Sequence, residues 1–312
     1  MTCCSPGRSQ NDHVTRPVAA PASLDAGSQP EMALIPAGRW LLGEDRSIAN
    51  PEDGEGPVRP VELPAFLLDK TAVTNQAFAS FVGATGYVTE AERLGWSFVF
   101  MAQLHPEAVI ATDADTRAPD WWVPVGDACW RKPDGRGSTW RDRHDHPVVH
   151  VSWNDAVAFA SFAGKRLPTE AEWEAAARGG LQRALYAWGD ELHPDGRYMC
   201  NIWQGRFPLS NTAEDGYLAT APARSFPPNG FGLYNMLGNV WEWTASPWSD
   251  EPSGLMAMRG GSYLCHASYC NRYRVAARTG NHHGATSSHL GFRCAGDLAG
   301  ELPTMPVLHG GP

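Results

Sequence analysis

Apolar residues fall at helical spacing in three stretches of the sequence, and each stretch opens on a residue able to cap it. Phe78, Phe81 and Val82 share one face of a segment that Thr74 can cap and that Gly83 or Gly86 ends. Ser152 with Asp155 opens a second segment, closed by Gly164. Thr169 and Glu172 have the spacing of a capping box ahead of Trp173 and alanines 175–177, with Gly179 as the stop. Beyond Gly180 the pattern breaks into strand-like pieces at 261–264, 273–276 and 290–294, separated by Gly, Asn and Pro. No repeat or linker divides the chain. The pattern predicts one loop-rich α+β domain over residues 31–305 with little regular secondary structure, its helices a scaffold and its chemistry in the second half.

Composition supports a loop-rich interior. The 312 residues include 32 Gly, 25 Pro and 13 Trp, so many turns must be pinned by large aromatic side chains. Residues 1–30 are polar and Pro-rich without the apolar core of a signal peptide; they read as a flexible leader, and 306–312 as a flexible tail. A formal charge of −9 with no basic run excludes nucleic acid as a partner, and no apolar run is long enough to span a membrane. Seven cysteines at irregular spacing suit a reducing, cytoplasmic compartment. Cys3, Cys4, Cys129 and Cys200 read as ordinary thiols.

The sharpest chemical signal is Cys265-His-Ala-Ser-Tyr-Cys270, followed by Asn271-Arg272-Tyr273-Arg274. Side chains five residues apart diverge by about 140° on a helix and lie on opposite faces of a strand, so both can address one centre only from a turn. Two readings stay open: a pair of buried thiols or a disulfide, and a two-thiolate site for a soft ion such as Cu(I), a poor match to four-ligand structural zinc. His266 would point away. Asn235-Met-Leu-Gly-Asn-Val-Trp-Glu-Trp243 offers Asn235 and Glu242 as hard oxygen donors, and Asn201 and Asp215 bracket a similar stretch. Both suit calcium, or equally side chains capping turns. In Asp142-Arg-His144-Asp-His146-Pro-Val-Val-His150 the proline breaks any helix that would align the histidines, and His150 reads as the start of a strand entering the core. Trp121 and Trp122 are core by default, yet could wall a peptide groove.

Five strings together resemble the formylglycine-generating enzymes, the sulfatase-modifying oxidases. They are Gly164-Lys-Arg-Leu-Pro-Thr-Glu-Ala-Glu-Trp173, Asn201-Ile-Trp-Gln-Gly205, Asn235 to Trp243, Gly260-Gly-Ser-Tyr-Leu-Cys265 and Leu290-Gly-Phe-Arg-Cys294. The resemblance runs from about Ala33 to Cys294, and the two-cysteine string is its specific part. It implies a fold related to C-type lectins and oxidation of the cysteine of a Cys-x-Pro-x-Arg segment in an unfolded sulfatase to formylglycine. Cu(I), dioxygen and an external thiol reductant would serve that reaction. It also implies Cys265 and Cys270 as the copper pair, Ser262 and Trp241 as active-site neighbours, and Trp121, Trp122, Ser97 and Arg272 as substrate contacts. Two structural calcium ions would take Asn201 and Asp215 with the carbonyls of Ile202 and Tyr217, and Asn235 and Glu242 with those of Gly238 and Val240.

Two departures follow from the same comparison. Animal members carry disulfides, but the positions aligned with three of those cysteines are Ala160, Ala177 and Val275, leaving Cys294 without a partner. That points to a bacterial-type member in a reducing compartment. Where an acidic residue can meet the substrate arginine, this chain has Trp96, with Glu92 and Asp120 as substitutes. Two rival readings are a non-catalytic calcium-stabilised binding module of the same fold and an iron-dependent sulfoxide synthase, for which no His-x-x-x-His-x-Glu string is present.

Overall fold

The structure is a computed structural model and describes residues 6–8, 31–112, 114, 116–249 and 253–298. The expected tail, and all of the leader except 6–8, lie outside the described residues. Four α-helices form where local chemistry favours their ends. Helix α1, Asn75–Thr85, begins at Thr74, whose side chain accepts from the Ala77 N–H; it ends at Gly86 rather than Gly83. Gly86 takes the left-handed φ of 67° needed to turn its N–H onto the Val82 carbonyl. Helix α2, Glu90–Leu94, was not anticipated, although Thr89 and Glu92 form a reciprocal capping box. Helices α3, Trp153–Phe162, and α4, Glu170–Ala177, start on the capping boxes Ser152/Asp155 and Thr169/Glu172. Each such cap is worth about 1 kcal/mol.

These helices pack one apolar core. Phe78 and Phe81 of α1 meet Phe159 of α3, stacked at 5.9 Å and edge-on at 5.5 Å respectively, and Phe78 also meets Trp130 edge-on at 5.3 Å. Trp173 and alanines 175–177 of α4 are buried in the same cluster. Small sheets surround the core. The largest runs in the order Arg278–His282, Leu255–Arg259, Trp241–Pro247, Leu290–Gly291, with the last pair parallel. A three-stranded sheet sets Phe66–Asp69 between Met32–Ile35 and Ala295–Gly296, and another pairs Trp96–Phe100 with Trp122–Gly126 and adds Val109–Ile110. No helix among the described residues is long and apolar enough to cross a membrane.

Three expected strands come out differently. Residues 261–264 form a turn, because Gly260 and Gly261 take φ of 95° and 75° and the Cys265 N–H folds back onto the Ser262 carbonyl at 2.9 Å. Residues 273–276 are irregular: Arg274 Nε donates to the Asn271 carbonyl and the Val275 N–H to Leu185, so the backbone is satisfied outside a ladder and the strand begins only at Arg278. In 290–294 only Leu290–Gly291 pairs, and the chain then crosses to another sheet at Ala295–Gly296. His150 enters the core but not as a strand: its φ is 60°, and its ring reaches Ser97 Oγ and the Pro133 carbonyl, both at 2.8 Å.

Candidate active site

The strand Leu255–Arg259 delivers the chain to Gly260 and Gly261, and a side chain at Gly261 would meet the Arg272 carbonyl at 2.6 Å. This close approach folds the cysteine segment into a tight loop. The N–H groups of Tyr269, Cys270 and Asn271 converge on the His266 carbonyl at 3.0, 3.0 and 3.2 Å. The turn that the spacing required brings Cys265 and Cys270 to one small cleft, lined also by Trp121, Trp122, Ser262, Leu264, Phe207 and Tyr269. Both cysteines are buried thiols and not halves of a disulfide. The Ser262 N–H points at Cys265 Sγ at 3.4 Å. His266 turns out of the cleft and pairs with Ser268 Oγ at 2.7 Å.

Aromatic rings build one wall. Phe207 stacks on Tyr269 with ring centres 4.7 Å apart, and Trp121 stands edge-on to both at 5.5 and 5.1 Å. Sequence reasoning missed Phe207, which a loop brings in from far along the chain with no periodic signal; Tyr269 was in view inside the two-cysteine string. Tyr273 lies behind the thiols. Burial, then Tyr186 and then Cys265, pushes its phenol far above the usual range, so it stays neutral.

The other expected site residues sit elsewhere. Trp241 is fully buried in the apolar cluster that includes both cysteines, and its indole N–H has no hydrogen-bond partner. Ser97 is interior, bonded to Thr286 Oγ1 at 2.7 Å as well as to His150. Arg272 grips Asp53 through Nε and Nη2 at 2.6 and 2.9 Å, and Arg274 grips Glu55 at 2.6 and 2.7 Å with neither side chain more than 1 % exposed. These pairs clamp the chain just after Cys270 to residues 53–55. Trp96 packs edge-on against Phe98 at 5.1 Å. Glu92 is engaged by its capping box and by Arg131, whereas Asp120 is exposed.

The two oxygen-rich sets differ in how well they are satisfied. Asn201 Oδ1 and Asn235 Oδ1 are both buried with no hydrogen-bond partner, the state of an oxygen placed for a cation. Asp215 gathers the Ile202 N–H at 3.0 Å and the Tyr217 N–H at 2.9 Å, and burial raises its pKa. The Ile202 carbonyl accepts from Gln204 Nε2. Gly238 and Val240 are buried, and Asn239, between them, donates its N–H to the Asn201 carbonyl at 2.8 Å, which ties the two sets together. Glu242 is shared: Arg293 takes it with Nε and Nη2 at 2.7 and 2.8 Å and the Trp173 indole donates at 2.7 Å, leaving Oε1 a lone pair to spare. The donor chemistry therefore fits calcium at both sets, with Glu242 already partly neutralised.

Gly238 adopts φ 71°, and a Cβ there would lie 2.3 Å from the Asn201 carbonyl oxygen. Gly238→Ala should therefore lower stability well beyond the roughly 1–2 kcal/mol of left-handed strain alone. Gly86→Ala, at φ 67° with open space around it, should cost only that strain. Denaturant midpoints of the two variants check the difference.

The sulfatase-modifying factor enzyme 1-like domain matches residues 18–298. The chain belongs to this family. It is 56 % identical over 283 residues to the formylglycine-generating enzyme of Thermomonospora curvata, covering 85 % of this chain and 93 % of that protein. It is also 46 % identical over 275 residues to the inactive C-alpha-formylglycine-generating enzyme 2 of Mus musculus, covering 87 % of each. Among solved structures, PvdO from Pseudomonas aeruginosa superposes with a TM-score of 0.64 at 24 % identity, covering 91 % of this chain and all of that one, which supports the shared fold.

Cys294 is fully buried, and burial followed by Asp69 pushes its thiol well above the ordinary range, so it is inert. Ala160, Ala177 and Val275 offer it no sulfur. Cys294→Ala is expected to keep full activity and lose about 1 kcal/mol for a small cavity, read from thermal unfolding.

Proposed function

We propose that this chain oxidises the cysteine of a Cys-x-Pro-x-Arg segment in a sulfatase to formylglycine, activating that enzyme, with Cu(I) held by Cys265 and Cys270. Since the family includes a relative named as inactive, membership alone does not decide activity. The observation that carries the reading is the thiol pair itself, two soft donors folded to one side of an aromatic-walled cleft. Cu(I) there would supply one-electron chemistry toward dioxygen, which closed-shell thiols lack, and would lower the pKa of an incoming third thiol.

The chain's own groups do the rest. The Ser262 N–H contacts Cys265 Sγ, and Ser262 Oγ accepts the Leu264 N–H at 3.3 Å, which fixes the turn. Trp121, Trp122, Phe207 and Tyr269 keep water from the sulfurs and offer flat faces to the proline of an extended segment. Ser97 and Arg272 act by position, Ser97 under the Trp96–Phe100 strand and Arg272 through the Asp53 clamp. We further propose two structural calcium ions on the Asn201 and Asn235 sets, an external thiol as reductant, and a reducing cytoplasm, which suits the buried thiols of Cys129, Cys200 and Cys294.

The test is incubation of a Cys-x-Pro-x-Arg peptide with copper-loaded protein, a thiol and air, followed by mass spectrometry. Aldehyde at the cysteine and released sulfide are expected. An unchanged peptide, with copper verified as bound, would sink the proposal and favour a non-catalytic binding module.

A further inference from the structure

One segment of the sequence remains unused. Of the seven cysteines, Cys4 alone has proline two residues on and arginine four residues on, in Cys4-Ser-Pro6-Gly-Arg8. The chain thus carries a copy of the motif assigned above to its substrate. The described part of this copy is docked on the domain. Pro6 is buried, and its carbonyl accepts from Asn281 Nδ2 at 3.3 Å. Gly7 and Arg8 pair antiparallel with Arg117 and Thr116. An extended segment adding to a backbone edge is how proteins commonly hold unfolded peptides.

The elements it lies against run on into both sides of the cleft. Thr116–Arg117 lead within a few residues to Trp121 and Trp122. Asn281 belongs to Arg278–His282, whose partner strand Leu255–Arg259 leads directly into Gly260 and the loop that carries Ser262, Cys265 and Cys270. Cys4 precedes Pro6 by two residues in the sequence.

We propose that Cys4 is itself a substrate, so that the protein makes formylglycine in its own chain; this rests on the function proposed above. One hydrogen leaves the Cys4 sulfur and one leaves its β-carbon, giving a thioaldehyde. Dioxygen takes those two electrons and two more from a pair of external thiols, which become a disulfide, and is reduced to two waters. One water hydrolyses the thioaldehyde, breaking the carbon–sulfur bond, leaving an aldehyde at residue 4 and releasing hydrogen sulfide. The motif is complete with its reactive cysteine. A segment serving only to plug the cleft has no use for that thiol, whereas a substrate cannot do without it. Tethering adds an effective concentration of order millimolar, so a weakly held segment is still presented to the site.

The experiment uses the full copper-loaded chain, incubated with thiol in air beside a free Cys-x-Pro-x-Arg peptide. Residue 4 is read by peptide mass spectrometry and by capture with an aminooxy probe. Aldehyde is expected at residue 4, unchanged in Cys3→Ala and reduced by about tenfold or more in Arg8→Glu, which breaks the motif at its arginine. Hydrogen exchange on the metal-free protein supplies a second readout: the amides of Gly7 and Arg8 should be protected, and Pro6→Asp should release them. If the free peptide is converted while residue 4 stays cysteine, the inference fails and the proposed function stands. If Arg8→Glu is labelled as fully as the parent, or Gly7 and Arg8 exchange freely, the docking argument is wrong. If neither the peptide nor residue 4 is converted, the proposed function itself falls.

Discussion

Serine in place of either Cys265 or Cys270 is expected to abolish both tight Cu(I) binding and aldehyde formation in a protein that still folds. Serine preserves size and polarity but replaces a soft thiolate with a hard hydroxyl that Cu(I) binds poorly. Losing a partner one shell out from a metal already costs 10- to 100-fold in affinity, so losing a donor should cost more than about 100-fold. The fold should survive. Both sulfurs line the cleft, and the loop is held by the His266 carbonyl and by the Arg272 and Arg274 clamps, none of which involves sulfur. Competition with a chromophoric Cu(I) chelator gives the affinity, and peptide mass spectrometry gives the turnover. A relay running on the two thiols alone would also fail in these variants, so the wild type supplies the control. Conversion at full rate by metal-free protein, verified by elemental analysis, would show the copper reading to be wrong.

The largest stability loss is expected at Glu242. Its carboxylate is the acidic partner of Arg293, and the two side chains are 2 % and 0 % exposed. Glu242→Ala leaves a guanidinium in the core hydrogen-bonded only to the carbonyls of Asp69, Lys70 and Tyr234, with the Asp69 carboxylate, already paired with Lys165, as the acid nearby, and the Trp173 indole without its acceptor. Breaking one side of a buried pair costs about 3–5 kcal/mol, which for a domain of this size lowers Tm by about 10 °C. Glu242→Leu combined with Arg293→Met should recover much of the loss, because no charge is then stranded. The same variants report on calcium. A chelator should lower the Tm of the parent, and by less in Glu242→Ala if this carboxylate shares in holding the ion. A parent Tm indifferent to chelator would argue against calcium, and a loss below about 1 kcal/mol in Glu242→Ala would argue against the ion pair.

Local rules read the helices and missed the long-range partners. Thr74, Ser152 and Thr169 cap helices because a hydroxyl and an N–H three residues on are all that a cap needs. Thr89 and Glu92 obey the same rule, but the helix they open, Glu90–Leu94, is too short to show an apolar period. The loop geometry of the cysteine string was legible only on the condition that both side chains address one centre, since at five-residue spacing a helix or a strand would point them apart. The strands expected at 261–264 and 273–276, short pieces set off by Gly and Asn, do not form: Gly260 and Gly261 turn the chain at positive φ, and Arg274 Nε and the Val275 N–H bond to the Asn271 and Leu185 carbonyls outside any ladder. Arg272 could not have been placed from sequence at all, since nothing near it announces that Asp53 will be its partner.

That partnership has a consequence for the order in which the molecule is made. Arg272 and Arg274 meet acids 219 positions earlier in the chain. During synthesis, residues 53 and 55 must wait, their carboxylates in water, until the 219 positions that separate them from their partners have been made. Closing so long a loop costs entropy before any contact repays it, and such contacts form late. The segment that follows Cys270 is therefore among the last to be secured, and a ribosome-bound or truncated chain has its two thiols on an unanchored stretch. If the two thiols hold Cu(I) as proposed, that capture would have to follow closure of these two clamps.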